Sequence, residues 1–490
     1  MAKDKLNVFW FKRDLRIMDN PALGAALNDP LKLLLVYAYE PTIWDDAHYA
    51  ERHQNFIKES LADLNKGFLK YNTEILCVES EIISFFKNLL QKYDIATVYS
   101  TEETGLEITY TRDLNFATFC DTNTITWKEF QNNGVIRGIK NRATWRENWY
   151  SYMTAEMARP KLERSNLACI EEIEHLKAHF KCFPTQTDVH QYQIGGIFQA
   201  YKWLNSFFED RIAHYSDYIS KPELARTGCS RLSPYFAWGN LSIREVYQRA
   251  LVLKKNTNFK KQYNAFISRL RWQSHFIQKF EMEHRMEFEA INKGFLNLEQ
   301  PLNDEFVTRW KAGSTGYPLV DASIRCVVET GYINFRMRSM IVSFLTHHLF
   351  QHFTTISAWL ARQFLDFEPG IHYGQIQMQS GFTGTNTVRV YNPVKNAHDH
   401  DNEAVFIKKY VPELRRLPVH LAIEPWTISE MEETFYGFSY GIDYPERIVD
   451  IAETRRIALQ KLYGHRKSDL ARAEKERILE RHTIPRKSKK

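Results

Sequence analysis

The feature that most constrains the fold is a change of rhythm near residue 196. Up to about residue 130, short β-branched and aromatic runs (7–11, 32–39, 74–78, 96–100 and 124–127) alternate with amphipathic stretches such as 52–64 and 82–93. Strand and helix in alternation predict an α/β doubly wound parallel sheet with both faces covered. After Gly196 the alternation stops, and 197–208, 242–254, 263–281 and 338–353 read as long helices. A large all-α C-terminal domain is therefore expected. Residues 131–200, interrupted by Pro160, Pro184 and a polar run over 185–193, read as a connection crossing the surface. The expected layout is an α/β domain over 1–130, this connection over 131–200, a helical domain over 201–463 and a basic polar tail over 464–490. That tail reads as a solvated end, with a nucleic-acid arm as the alternative.

Composition narrows the class. With 490 residues the chain builds sizeable cores without covalent staples. Its six cysteines, at 77, 120, 169, 182, 229 and 326, form no C-x-x-C pair, which argues against a disulfide framework, a four-cysteine metal site or an iron–sulfur cluster. Mean hydropathy is −0.46, and no apolar run approaches the ~18 residues that cross a bilayer. The first strand follows the N-terminus without a small-residue cleavage site, so a cytoplasmic protein is expected. The excess of 65 Lys+Arg over 59 Asp+Glu, +6, permits a polyanionic partner without demanding one. Aromatic content of 14% suits a helical protein holding a flat cofactor, and equally a large core. No G-x-G-x-x-G follows the first strand and no P-loop occurs. His347, His348 and His352 lack an H-E-x-x-H context and read as packing residues rather than metal ligands.

Four segments are more specific. Residues 9–23 read F-W-F-K-R-D-L-R-I-M-D-N-P-A-L, and 228–235 read G-C-S-R-L-S-P-Y. In the second, Ser233 before Pro234 predicts an N-cap and first-turn pair, whose hydroxyl and free N–H groups suit a pyrophosphate. Residues 310–322 read W-K-A-G-S-T-G-Y-P-L-V-D-A, followed at 330–338 by T-G-Y-I-N-F-R-M-R. The fourth comprises F-L-D-F-E-P-G-I-H-Y at 364–373, Q-M-Q-S-G at 377–381, R-V-Y-N-P at 389–393 and Y-V-P-E-L at 410–414.

Together these segments resemble the photolyase/cryptochrome family of flavoproteins. The resemblance implies bound FAD, and a second antenna chromophore of folate or flavin type in the N-terminal domain. It implies phosphate contacts from Cys229, Ser230, Arg231, Leu232 and Ser233, with Tyr218 nearby, and a cation–carboxylate pair, Arg338 with Asp366, beside the flavin ring. A fixed guanidinium there steadies the negative charge of a reduced flavin. Glu368 and His372 match further cofactor positions. The implied activity is light-driven repair of pyrimidine dimers by electron transfer from excited reduced FAD; the alternative is a cryptochrome-type blue-light photoreceptor. The implied partner is DNA containing such dimers, bound by a monomer with no membrane association. Trp272 is the candidate stacking wall for the extruded lesion, with Gln273, Arg336, Met378 and Arg389 on the same DNA-binding side.

Departures from the family pattern are specific. Cys229 replaces a Thr and offers only a weak donor. Arg269 stands where repair enzymes carry Glu, Met378 where they carry a second Trp, and His372 where an Asn faces the flavin. Ile376 and Phe353 occupy positions of the tryptophan ladder, leaving Trp359, Tyr332, Tyr373 and Tyr391 as the candidate electron route.

Overall fold

The computed structural model describes residues 3–164, 166–187 and 191–484. Five parallel strands, β1 (Asp4–Phe11), β2 (Lys32–Tyr39), β3 (Leu76–Glu79), β4 (Tyr93–Thr101) and β5 (Thr126–Phe130), form one sheet in the order β3-β2-β1-β4-β5. Val8 stands level with Leu34 on one side and Val98 on the other. Helices cover both faces, so Val8, Phe9, Trp10 and Phe11 are all buried, as a central parallel strand requires. Val8, Trp10, Leu34 and Val36 pack with Phe85, Phe86 and Phe116. Phe9, Phe11, Leu33 and Leu35 belong instead to a core continuous with the helical domain. The remainder is helical, including Ile197–Glu209, Ile243–Lys255, Lys260–Met282, Phe335–Ser343 and Pro369–Gln379.

Two expectations are corrected. The connection is not a bare surface crossing. It carries the helix Trp145–Thr154, whose Trp145, Trp149 and Met153 recur every four residues and are fully buried. It also returns to the sheet, where Leu167 bridges Leu33 and Cys182 bridges Val78. Nor is the polar end a solvated tail up to residue 484. The helix Asp469–His482 docks through buried Ala471 and Ile478. Gly294 admits it, since a Cβ there would lie 2.4 Å from the Ala471 Cα. The last residues of the basic end, 485–490, lie outside the described residues.

The opening motif works as a latch between the domains. Asp19, fully buried, accepts from Arg244 Nε at 3.0 and 2.9 Å, while Arg16 donates to Gly239 O at 3.2 Å. Ser242 caps the helix Ile243–Lys255 by accepting from the N–H groups of Arg244 and Glu245, and its hydroxyl donates to Asp19. Ser242→Ala is accordingly expected to cost about 1 to 2 kcal/mol in urea unfolding, the usual worth of an N-cap.

Candidate functional site

The centre of the site is built by two short segments. Asn334 accepts from the Met337 N–H and starts the helix Phe335–Ser343, one turn of which carries Arg338 inward. Arg338 Nη2 donates to both Asp366 oxygens, at 3.0 and 2.9 Å, and Nε donates to Ile333 O at 3.0 Å. The guanidinium also lies over the Phe364 ring at 4.0 Å. Arg13, just past β1, holds the acidic segment in place by donating to Phe367 O and Ala237 O. Burial pushes the Asp366 carboxyl up, but Arg338 and the Ser233 hydroxyl outweigh it and hold the group below its usual value. A carboxylate, a guanidinium left about one-quarter exposed and a serine hydroxyl therefore meet at one point.

The remaining phosphate-loop residues divide. Ser230 and Ser233 are partly exposed, whereas Cys229 and Leu232 are buried. Ser233 is the first residue of the helix Ser233–Ala237 and Leu232 is its cap, one position from the expected pairing. Burial raises the Cys229 thiol to about 12, so it stays protonated. Arg231 adopts a left-handed backbone at φ 58°, and its guanidinium is committed to Arg226 O and Gln193 while stacking over Tyr332 at 3.8 Å. Its Nε is buried without a partner and free to donate. Tyr218 packs against Gly228, where a Cβ would come 2.3 Å from its ring.

Glu368 pairs with Arg13 rather than with Arg338. It lies 3.7 Å from Arg13 and lines the crevice between the domains with Glu103, Asn132 and Arg137; burial lifts its carboxyl to about 7. His372 is held among Phe364, Phe367 and Tyr373 and donates from Nε2 to Ser357 O at 2.8 Å. Burial lowers it to about 3, so the imidazole is neutral.

Trp272 is 44% exposed, backed by Phe276 at 5.7 Å and His275 at 5.0 Å. Gln273 beside it and Met378, on the helix packed across Gly370 and Gly374, are partly exposed. Arg336 and Arg389 lie together elsewhere. With Tyr391, Lys395, His400 and Arg455 they line a basic cleft of about 640 Å³. The candidate electron carriers are also dispersed. Tyr332 adjoins Arg338 at 5.9 Å, and Tyr373 is buried against His372 and Phe280. Trp359 packs on Trp310 at 5.5 Å, whereas Tyr391 sits in the basic cleft. Sequence reasoning missed Arg13 as the clamp on the acidic segment, although it lies in the first motif, and missed Trp310 and Arg455.

The donor set fits a flavin dinucleotide: a guanidinium for negative charge, a carboxylate acceptor, two partly exposed hydroxyls and one unpartnered N–H. The crevice at the β1/β4 strand reversal fits a second chromophore poorly. Its two cavities, of about 30 and 50 Å³, are filled around by Trp44, Tyr49, Trp238 and Arg112, far below the ~300 Å³ of ordinary ligand pockets. Among the described residues, no helix is long and apolar enough to cross a membrane.

Comparison with known proteins agrees with this architecture. The family model for DNA photolyase matches residues 7–154, and that for the FAD binding domain of DNA photolyase matches residues 266–464. A deoxyribodipyrimidine photo-lyase of Alkalihalophilus pseudofirmus is 32% identical over 54% of this chain and 55% of that protein. A cryptochrome DASH of Gloeobacter violaceus is 23% identical over 92% of this chain and 94% of that one. The crystal structure of a Synechocystis cryptochrome superposes with a TM-score of 0.83 at 20% identity, covering 94% of this chain and 99% of that one. A parallel sheet leading into a flavin-type helical domain, matched by both family models, shows that the chain belongs to the photolyase/cryptochrome family.

Proposed function

We propose that the protein is a DNA photolyase that splits pyrimidine dimers with light. The observation that carries this reading is the meeting of Arg338, Asp366 and Ser233 in the helical domain, together with a Trp272 face open to solvent. When bound, reduced FAD supplies the light-excited electron that opens the dimer. Arg338 holds positive charge beside it, and Asp366 fixes the guanidinium and accepts a hydrogen bond from the cofactor's N–H or ribose hydroxyl. Ser230 would donate to its phosphates, while the Ser233 hydroxyl stays committed to Asp366. The neutral His372, its Nε2 proton tied to Ser357 O, packs the inner wall and helps exclude water. Trp272 stacks the extruded lesion, and the cleft of Arg336, Arg389, Lys395 and Arg455 takes backbone phosphates.

Illumination of the reduced protein with a dimer-containing oligonucleotide is expected to restore thymine absorbance. Trp272→Ala is expected to weaken lesion binding by about 1 to 3 kcal/mol, measured by titration. Arg269, Met378 and Ile376 at positions of repair and photoreduction favour the second reading, a cryptochrome-type photoreceptor. Flavin-loaded protein that neither repairs nor prefers damaged DNA would select it.

A further inference from the structure

Away from the flavin-type site, the connection and the helix Lys260–Met282 enclose an unusual group of cations. Arg142 is fully buried, and among the described residues none of its three guanidinium nitrogens has a hydrogen-bond partner. It lies over the Trp145 ring at 4.2 Å, and the Trp145 indole N–H is buried and unpartnered as well. His275 packs edge-on against the same indole at 6.1 Å. Lys279, one turn further along, shares the field of Arg142. Glu283, the acid beyond it, is already engaged by Arg477 from the docked C-terminal helix and lies 3.4 Å from His482.

Every unsatisfied atom of Arg142 and Trp145 is a donor, since guanidinium and indole nitrogens accept nothing. Burial alone drags Arg142 down to about 9, and burial with Arg142 and Lys279 as neighbours drags His275 down to about 2. A fully buried, unpaired guanidinium is among the costliest arrangements a fold can hold, and it becomes favourable once a forked acceptor completes it. His275 and Lys279 remain partly exposed, so Arg142 lies one side chain beneath the surface. The structure assigns to Arg142, Trp145, His275 and Lys279 a binding site for an oxyanion, the phosphate or carboxylate group of a ligand, separate from the flavin-type site. The guanidinium takes two oxygens side by side, the indole N–H takes a third, and Lys279 supplies charge at the mouth.

The test is thermal unfolding and tryptophan fluorescence of the full chain, titrated with inorganic phosphate, with succinate and with an undamaged oligonucleotide, each against sodium chloride at matched ionic strength. The wild type is expected to gain melting temperature with phosphate or succinate beyond the chloride control. Arg142→Met is expected to weaken that response at least about tenfold, as loss of a charge-assisted contact does. It should also melt no lower than the wild type without anion, because it removes an unpaired charge. Trp145→Phe, which keeps the ring and deletes the N–H, covers the case in which Arg142→Met fails to fold, and should weaken the response in the same direction. A response to the oligonucleotide that Arg142→Met weakens, without a response to free anions, identifies a DNA phosphate as the oxyanion, whereas an oligonucleotide response unchanged in that variant belongs to the basic cleft. Equal responses of wild type and both variants, or no response beyond chloride in any arm, overturn the assignment.

Discussion

Asp366→Ala is expected to lower the unfolding free energy by about 3 to 5 kcal/mol, the penalty for leaving a largely buried cation without its partner. The loss exceeds that of an ordinary surface pair because three interactions disappear together. Arg338 loses both hydrogen bonds from Nη2, the Ser233 hydroxyl loses its acceptor, and the charge of Arg338 is left over the Phe364 ring. Asp366→Asn keeps the shape and one acceptor, so it should cost less. Urea titration of the two variants checks the ordering. Flavin retention after gel filtration checks the site, and both variants should release FAD more readily than the wild type. A variant as stable and as yellow as the wild type would detach Asp366 from both roles.

The second large effect is a pH dependence at Glu368. Burial lifts this carboxyl from 4.5 to about 7 in the folded protein, with Arg13 opposing the rise. Below about pH 4.5 it is protonated in both states, and its contribution to stability is fully present. As pH rises towards 7, the unfolded chain releases the proton while the folded protein still holds it, so stability is progressively lost. Glu368→Gln does not titrate. Relative to the wild type it should therefore become more stable between pH 4.5 and 7.5, then stay level. At about 1.4 kcal/mol per pH unit the difference amounts to about 3 kcal/mol. Parallel urea midpoints across that range measure it, and parallel curves with constant separation would show that Glu368 is ionised throughout.

The Glu368 result also shows where local reading stops. Its spacing from Asp366 in F-L-D-F-E-P places both acids in one loop, and the resemblance gives both a cofactor. Consecutive loop residues project to different sides, however, and the position of Arg13, 354 residues from Phe367 in the chain, turns Glu368 to the domain crevice. Arg231 repeats the lesson: it lies between two serines of the phosphate motif, yet Gln193 from the connection captures its guanidinium. Arg336 and Arg338, two residues apart on one helix, point to different places, one into the basic cleft and one to Asp366.

What the amino-acid order determined by itself was the succession of elements. The strand at residues 32–39 matches β2 at both ends, and the first four helical patterns coincide with helices to within a few residues. Periods of two and of about 3.6 residues are local properties of a chain, so they are legible without a partner. The fate of polar side chains is decided by residues hundreds of positions away. Only the tertiary structure could show that residues 469–482 form a docked helix, that Arg142 is buried without a counter-charge, or that the strand-reversal crevice is narrow. Each depends on which surfaces meet, and a hydrogen bond or an ion pair needs its acceptor within about 3 Å, whatever the sequence separation.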